Sequence, residues 1–186
     1  MGKIIAVGHT SWKMKRLLAM IAQSNPGVPY ELYTVYNGEG FTPDLQVPNN
    51  MQGRDIAMYC AGLQQVKDDW AFFLNDDVCH LDDGWLLFAS IWMKKGYDCV
   101  GCQPNLSHWV DYDQLNPQDL EFHKRRGREL QFVRTSHFAA TRQWFIEGYQ
   151  AAYGNAQAFE KGTLRGRVAF FPRVDWIYDG NTKPYV

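Results

Sequence analysis

The sequence predicts an α/β fold, a single domain with a mainly parallel central sheet flanked by helices. Three observations lead to this prediction. Short apolar runs alternate with helix-periodic segments over the first half of the chain, which is typical of strands joined by right-handed helical crossovers. One apolar run ends abruptly in acidic residues, and the ligand-binding edge of a parallel sheet lies at such strand ends. The composition, with 46% hydrophobic and 21% charged residues among 186, is that of a globular domain with a buried core.

The first predicted unit is a strand, a turn and a helix. Lys3 to Val7 is a short buried strand, and the turn after it places Thr10 or Ser11 as a helix cap. Apolar residues at helical spacing predict that the helix covers Trp12 to Gln23. The alternating segment from Tyr30 to Tyr36 is then the second strand.

Two further helices are expected in the first half. Glu39 to Gln52 contains prolines and predicts a loop, after which an apolar stripe predicts a helix from Arg54 to Lys67. The third helix is expected from Gly84 to Lys95, capped by Asp82-Asp83. Tyr97 to Cys102 is the strand after it.

The second half, residues 105–186, is less regular, and we expect one domain without a linker or repeat. A strand-like segment from Gln131 to Ala140 leads to Thr141, a predicted helix cap. Two last strands are expected at Arg167 to Phe171 and Val174 to Tyr178.

Charge and cysteine content narrow the class of protein. Nineteen basic and twenty acidic residues give a formal net charge of −1, so nucleic acid is not an expected partner. No signal peptide or membrane span is apparent, and we expect a cytoplasmic protein. We interpret the cysteines as buried free thiols of a reducing compartment, and not as a zinc site or disulfides. They are Cys60, Cys79, Cys99 and Cys102.

The main candidate for a functional site is the predicted strand that ends in acidic residues. The apolar run Ala71 to Leu74 predicts a buried strand, and it is followed at once by Asn75, Asp76 and Asp77. Carboxylates at the end of a buried strand are costly unless they meet a cation or a polar ligand. This predicts a metal-assisted site, and the alternative is a turn whose acids cap the next helix.

The chain resembles a small, divergent family 2 glycosyltransferase of the Rossmann-like GT-A fold. The resemblance is strongest over residues 1–104, which then form the nucleotide-sugar-binding half, with 105–186 as the acceptor-side half. It is carried by the segments Ile4-Ile-Ala-Val-Gly-His-Thr-Ser-Trp12, Thr34-Val-Tyr-Asn-Gly-Glu39, Phe72-Phe-Leu-Asn-Asp-Asp-Val78, Asp98-Cys-Val-Gly-Cys-Gln-Pro104 and Phe138-Ala-Ala-Thr-Arg-Gln-Trp-Phe-Ile-Glu-Gly148.

The resemblance implies a metal-dependent hexosyltransferase, with inversion expected. In that family a divalent cation, Mn²⁺ or Mg²⁺, is held by an Asp-x-Asp (DXD) motif and binds the diphosphate of a nucleotide sugar. By position, Asp77 is the implied metal ligand, Asp76 lies beside the ribose or the metal, and Asn75 contacts the ribose or a metal-bound water. Asp179 is the implied second metal ligand. Such hard cations prefer carboxylate oxygens and stabilise the charge that develops on the leaving diphosphate.

Other implied roles are distributed over both halves. Nucleotide contacts are assigned to Thr10, Tyr36, Asn37 and Arg54, with Asp44 as a possible substitute at the base. Glu160 is the implied general base, with Glu147 and Asp111 as rivals. The basic segment His123 to Arg128 is either a flap over the diphosphate or a solvated loop. His80 is a possible metal ligand and His137 is unassigned.

The donor and acceptor stay open at this point. The donor base is uridine, guanosine or deoxythymidine, so the donor is a UDP-, GDP- or dTDP-sugar, and the acceptor is a carbohydrate, a lipid-linked molecule or a protein. One alternative is a sugar nucleotidylyltransferase, which the single glycine of Gly8-His-Thr-Ser11 disfavours because such enzymes bind phosphates on a glycine-rich turn. The other is a non-catalytic nucleotide- or glycan-binding module on a degenerate fold of this kind.

Overall fold

The computed structural model describes residues 1–49, 54–103, 133, 135–153, 155, 158–159, 162–163 and 165–174. The strands are β1 (Gly2–Gly8), β2 (Tyr30–Tyr36), β3 (Leu45–Gln46), β4 (Trp70–Asn75), β5 (Cys99–Gln103), β6 (His137–Thr141) and β7 (Val168–Val174). The helices are α1 (Ser11–Gln23), α2 (Arg54–Leu63), α3 (Trp85–Lys94) and α4 (Arg142–Ala151).

The strands form one mostly parallel sheet, which confirms the predicted fold class. Among the described residues the sheet has seven strands in the order β3-β2-β1-β4-β6-β5-β7. Strand β1 pairs in parallel with both β2 and β4, and β2 with β3, while β5 pairs in parallel with β7. The carboxyl ends of β1, β2 and β4 therefore meet at one edge of the sheet.

Strand β6 comes from the second half of the chain but lies inside the sheet, between β4 and β5. It is antiparallel to both neighbours, with Leu74 opposite His137 and Trp70 opposite Thr141. It thereby separates β4 from β5, the strand that follows α3 in the chain. The small residues Ala139 and Ala140 are fully buried, so β6 fits between its neighbours with helices above and below it.

The core has one layer on each face of the sheet. Because strand side chains alternate, Ile4 and Ile5 lie in different layers, and both are fully buried. Helices α1 and α3 cover one face, with Trp85 packed on Phe72 at 4.8 Å between ring centroids. Helices α2 and α4 cover the other face, where the Phe73 ring lies 4.8 Å from both the Phe138 ring and the Phe145 ring in near-parallel orientation. Ile4, Ile5, Phe72 and Phe73 belong to the apolar runs that were predicted as buried strands, and all four are fully buried.

Several predicted boundaries shift in the structure. Helix α2 ends at Leu63, four residues before the predicted end at Lys67. Helix α3 begins at Trp85, and Asp82-Asp83 does not cap it, because Gly84 occupies the N-cap in the left-handed conformation (φ 72°) without a side-chain capping bond. Such a φ favours glycine.

The remaining differences are in loops and at the end of the described chain. The predicted loop after β2 contains the short strand β3, and β7 runs continuously through Pro172. Thr141 caps α4 as predicted, since its side chain accepts a hydrogen bond from the backbone N–H of Trp144. The predicted strand from Val174 to Tyr178 lies beyond the described residues after its first residue.

Two global features bear on the class of protein. None of the described helices has the length and apolar character needed to cross a membrane. Cys60, Cys79 and Cys99 are free thiols, and burial raises the pKa of each above the ordinary value. Cys99 is buried as predicted, whereas Cys60 and Cys79 are only partly buried.

Candidate functional site

The candidate site lies at the sheet edge where β1, β2 and β4 end. His9 follows β1, Asn37 follows β2, and Asn75 is the last residue of β4. The first turn of α2 brings a fourth side chain, Asp55, to the same edge, where it contacts His9 and Asn75. The site is thus built from three strand ends and one helix, all within the nucleotide-binding half predicted from the sequence.

Asp76 fixes the turn between β1 and α1. Its Oδ2 accepts hydrogen bonds from the backbone N–H groups of His9 (2.9 Å) and Thr10 (3.0 Å). The approach requires glycine at Gly8, since a Cβ there would lie 2.9 Å from the same oxygen. Burial raises the pKa of the Asp76 carboxyl, against the two backbone donors, which lower it, and the charges of Asp77 and Asp55 raise it further.

His9 connects β2 to α2. Its Nδ1 lies 2.8 Å from Oδ1 of Asn37 and its Nε2 lies 2.5 Å from Oδ1 of Asp55. The hydrogen bond to Asp55 raises the pKa of the imidazole above its ordinary value, although burial opposes this. Because an imidazolium donates from both nitrogens, the protonated ring satisfies both oxygens at once.

Asn75 connects the tip of β4 to the same carboxylate. Its Nδ2 donates to Oδ2 of Asp55 at 2.8 Å, and its Oδ1 accepts from the backbone N–H of Asp77 at 3.2 Å. Asn75 is buried, so both halves of its amide are used. This explains why the first position of the Asp-x-Asp-like motif is an amide. An aspartate there would place a second buried carboxylate against Asp55.

Two cationic side chains of α1 reach the tip. Lys13 Nζ lies 2.6 Å from Oδ1 of Asp77, an ion pair in which the side chains are 20% and 42% exposed. One turn further along α1, Arg16 Nη2 donates to the backbone oxygens of Asp76 (2.8 Å) and Val78 (3.2 Å). Helix α1 thereby holds both the side chain and the backbone of the segment that follows β4.

The structure brings together part of the predicted nucleotide-binding set. Asn37, Asn75 and Asp76 lie at the site, and Thr10 takes part through its backbone N–H. Tyr36 is adjacent but buried, with its ring against Phe41 and its hydroxyl donating to the backbone oxygen of Glu39. Arg54 begins α2, and its side chain lies outside the described residues.

The other predicted residues are engaged by different partners or lie outside the described residues. Asp44 accepts hydrogen bonds from the N–H and hydroxyl of Thr34, and His80 contacts Asp82. His137 is buried beside Ser136 in β6, and Glu147 accepts a bond from Gln143. Outside the described residues are Glu160, Asp179, Asp111 and the basic segment His123 to Arg128.

A divalent cation does not fit the described part of the site. Mg²⁺ and Mn²⁺ need several oxygen ligands. Here Asp76 Oδ2 is engaged by two backbone donors, the Asn75 oxygen accepts an N–H, and Asp77 is paired with Lys13. Among the described residues no group of three or more His, Cys, Asp or Glu side chains is arranged to hold a metal. Asp179, the other predicted ligand, is not among them.

The most connected residues of the site, His9 and Asp55, were not predicted from the sequence, and neither was Lys13. His9 carried one available signal, since it follows the buried strand β1 directly, where polar residues reach the ligand-binding edge. Asp55 carried no local signal. It is 46 residues from His9 in the chain and 20 from Asn75, so only the fold brings them together.

Comparison with solved structures identifies the class of fold. The mannosyltransferase PcManGT from Pyrobaculum calidifontis, in complex with GDP-Man and Mn²⁺, matches with a TM-score of 0.56 at 14% identity. CMP:2-keto-3-deoxy-manno-octonic acid synthetase complexed with CTP matches with a TM-score of 0.58 at 9% identity. The 2-C-methyl-D-erythritol 4-phosphate cytidylyltransferase from Thermus thermophilus matches with a TM-score of 0.56 at 10% identity. The chain therefore has the α/β fold shared by GT-A glycosyltransferases and nucleotidyltransferases, as the resemblance predicted.

The extent of these matches differs between the two classes. The alignment with the mannosyltransferase covers 96% of this chain but only 58% of that protein. The alignments with the synthetase and the cytidylyltransferase cover 92% and 97% of this chain and 89% and 92% of theirs. No protein-family model and no curated protein matches the sequence. At such identities the similarity is one of fold.

Proposed function

We propose that this protein is a glycosyltransferase that binds a nucleotide sugar at the edge formed by β1, β2 and β4. The observation that carries the proposal is the polar network in which Asp55 joins His9 to Asn75, beside the Asp76-Asp77 tip. These partly buried hydrogen bonds keep the groups of the network in place before a ligand arrives. Its position is the crevice at which open α/β sheets bind ligands.

The chemistry of the edge suits a nucleotide sugar. A nucleotide sugar carries neutral ribose and base groups next to a charged diphosphate. The edge offers the amide of Asn37 for the hydroxyl-bearing part and the cation of Lys13 for the charged part. The base is predicted to be uracil, guanine or thymine, and no single sugar is assigned.

The transfer step belongs to the half of the site contributed by residues 105–186. Glu160 is proposed as the general base for an acceptor hydroxyl, with an inverting outcome, and Asp179 as a metal ligand. Both assignments come from the resemblance and lie outside the described residues. The acceptor is a carbohydrate, a lipid-linked molecule or a protein.

Dependence on Mn²⁺ or Mg²⁺ is a separate part of the prediction. It comes from the resemblance to metal-dependent transferases and from the Mn²⁺ in the complex of the mannosyltransferase. Because the described residues do not fit such an ion, no step of the proposal depends on it. The dependence on the metal is measured by adding Mn²⁺ to chelator-treated protein and following release of nucleoside diphosphate.

A nucleotidyltransferase is the second candidate function, favoured by the near-complete alignments with the synthetase and the cytidylyltransferase. Enzymes that bind a nucleoside triphosphate commonly use free N–H groups of a glycine-rich turn at a helix N-terminus. In this chain the N–H groups of His9 and Thr10 in the equivalent turn donate to Asp76, and the turn contains one glycine, Gly8. The filled turn supports the glycosyltransferase over the nucleotidyltransferase.

Product analysis separates these functions. The protein is incubated with UDP-, GDP- and dTDP-sugars and a panel of hydroxyl acceptors, and separately with nucleoside triphosphates and sugar 1-phosphates. We expect release of nucleoside diphosphate in the first reaction and no pyrophosphate in the second. Pyrophosphate release would instead support the nucleotidyltransferase, and nucleotide binding without either product would indicate a non-catalytic module.

A pair of acidic variants links the activity to the site. Asp55→Ala removes the carboxylate between His9 and Asn75, and we expect nucleoside diphosphate release to fall at least about tenfold because the edge loses its fixed geometry. Asp83→Ala is the matched control, since Asp83 is exposed in the turn before α3 and lies outside this network. Equal activity of the two variants would contradict the placement of the site.

A further inference from the structure

We propose that the ammonium group of Lys13 takes the place of a divalent cation and binds the donor diphosphate, so that the protein binds nucleoside diphosphates without a metal ion. The inference rests on the proposed function and specifies how the charged part of the donor is held. It differs from the metal-dependent binding that the resemblance implies.

Lys13 lies beside the residue at which the resemblance implies a metal ion. It lies in the first turn of α1, and its Nζ donates to Oδ1 of Asp77, the residue that the resemblance makes the metal ligand. An ammonium group has three N–H donors in a roughly tetrahedral arrangement. One is directed to Asp77, and the geometry of the group directs the others away from that carboxylate, where phosphate oxygens can accept them. Lys13 thus bridges the carboxylate and the diphosphate as a metal ion would.

Two other side-chain oxygens at the end of β4 already accept hydrogen bonds from the backbone. Asp76 Oδ2 accepts two backbone N–H groups, and the amide oxygen of Asn75 accepts the N–H of Asp77. These oxygens hold the polypeptide in shape. A metal at Oδ1 of Asp77 would have to displace Lys13, whereas the ammonium group needs only the single carboxylate oxygen that it already has.

The side chain of Lys13 is held in place by its surroundings. Its side chain is only 20% exposed, although lysine is usually a surface residue. Arg16, one turn along the same helix, donates to the backbone oxygens of Asp76 and Val78 and so fixes α1 against the tip. A lysine restrained in this way loses little conformational entropy when an anion binds.

Calorimetric titration of the full chain with GDP, UDP and dTDP tests the inference, first in excess EDTA and then with added Mn²⁺. We expect at least one of these nucleotides to bind in EDTA, with an affinity that Mn²⁺ changes by less than about threefold. The corresponding nucleoside monophosphate is titrated alongside it to isolate the contribution of the second phosphate.

Variants of α1 test whether Lys13 is the side chain that binds the diphosphate without a metal ion. In EDTA, Lys13→Met should weaken binding of the diphosphate about tenfold or more, because a charge-assisted hydrogen bond is lost, and should weaken the monophosphate much less. Lys15→Met is the matched control, since Lys15 is an exposed lysine two residues away on α1. Thermal melting of both variants checks that each is folded.

Asp77→Asn gives results of opposite sign for the two models. If Lys13 binds the diphosphate, removing the neighbouring carboxylate removes a repulsive charge, and the nucleotide binds severalfold more tightly in EDTA. If a metal ion bound through Asp77 is required, the same variant weakens binding in Mn²⁺. The inference would be overturned if, in EDTA, Asp77→Asn bound the nucleoside diphosphate more weakly than the natural chain does. Equal affinity of Lys13→Met and Lys15→Met for the diphosphate would overturn it as well.

The experiment also separates this inference from the proposed function. Binding that occurs only with Mn²⁺ would overturn the role of Lys13 and leave the nucleotide-sugar proposal in place. Failure of every nucleotide to bind, with or without Mn²⁺, would contradict the proposed function itself and the inference with it.

Discussion

At the scale of single residues, the acidic tip of β4 divides into three separate roles. Asn75 joins the tip to Asp55, Asp76 fixes the turn after β1, and Asp77 faces Lys13. The resemblance treated these neighbours as one ligand-binding motif. The contacts instead show that two of them hold the protein together, which leaves Asp77 as the member directed toward a cation.

The role of Asp76 leads to a stability prediction. Asp76→Ala leaves the N–H groups of His9 and Thr10 without their acceptor, and we expect the free energy of unfolding to fall by about 2 kcal/mol. Asp76→Asn keeps an acceptor oxygen and removes a buried charge, so its loss should be below about 1 kcal/mol. Urea denaturation near neutral pH measures both. Equal losses in the two variants would show that the charge, and not the pair of hydrogen bonds, matters.

The bond between His9 and Asp55 predicts a pH dependence. Because the folded protein raises the pKa of His9, the bond stabilises the fold fully below the ordinary value of 6.5, and this stability is lost as the pH rises through the raised value. The side chains are 34% and 25% exposed, so solvent screening limits the effect to about 1 kcal/mol or less.

The measurement is the unfolding free energy of the natural chain and of Asp55→Asn between about pH 6 and about pH 9. The advantage of the natural chain should shrink as the pH rises, since the variant has no carboxylate to retain the proton on His9. A difference that is constant or grows over this range would contradict a protonated His9.

The sequence predicted where the acidic segment after β4 begins, but it did not predict the residues that contact this segment. A change from apolar to acidic residues within one strand is a local signal, and it correctly placed Asn75 at the strand end. His9 and Asp55 act on this tip through space, and no pattern along the chain connects them. Lys13 looked like an ordinary polar position of an amphipathic helix, because its partner Asp77 is 64 residues away.

At the scale of elements, the site depends on how closely α2 approaches the sheet. Gly62, near the end of α2, faces Ile5 and Val35, and a Cβ there would lie 2.6 Å and 2.9 Å from their Cγ2 atoms. This close packing holds α2 against β1 and β2 and positions Asp55, at the other end of the helix, over the site.

Gly62→Ala tests this packing. In an unhindered helix the change stabilises a protein by up to about 1 kcal/mol, because alanine is the better helix former. Here we expect a loss of about 1–3 kcal/mol, since the added methyl group overlaps two buried side chains. Chemical denaturation gives the sign. Unchanged or increased stability would show that α2 has room to move and that Gly62 does not determine its distance from the sheet.

The elements themselves were largely predictable, and their ends less so. Helix α1 and strands β1, β2 and β4 appear where the apolar patterns placed them. The predicted end of α2 was too late because Val66 is apolar and buried, as in a helix, although it follows the turn after Leu63. Periodicity reports which side chains are buried and does not distinguish a helix from a turn that packs on the same core.

At the scale of the whole molecule, strand order was the main feature that the sequence did not predict. The insertion of β6 between β4 and β5 joins the second half of the chain to the centre of the first half. Pairing between β4 and β6 spans residues far apart in sequence, and the alternation of elements indicates only that a parallel sheet exists. The fold class was predictable because it depends on that alternation alone.

The fold also limits what function can be concluded from it. Glycosyltransferases and nucleotidyltransferases share this architecture, and the alignment spans more of the latter. The distinction therefore depends on the site, where the turn after β1 is filled by Asp76 and Lys13 stands beside Asp77. These contacts support a site for a nucleotide sugar over a site for a triphosphate.

Hydrogen exchange locates the bound nucleotide on the protein and so tests whether the ends of β1, β2 and β4 form the binding site. Of the UDP-, GDP- and dTDP-sugars, the one that most raises the melting temperature is added at saturation, and backbone hydrogen exchange is compared with that of the free protein. We predict slower exchange in the turns after β1, β2 and β4, around His9, Asn37 and Asp77, with helix α3 unchanged. Protection confined to other elements, or no nucleotide sugar that stabilises the protein, would contradict the account.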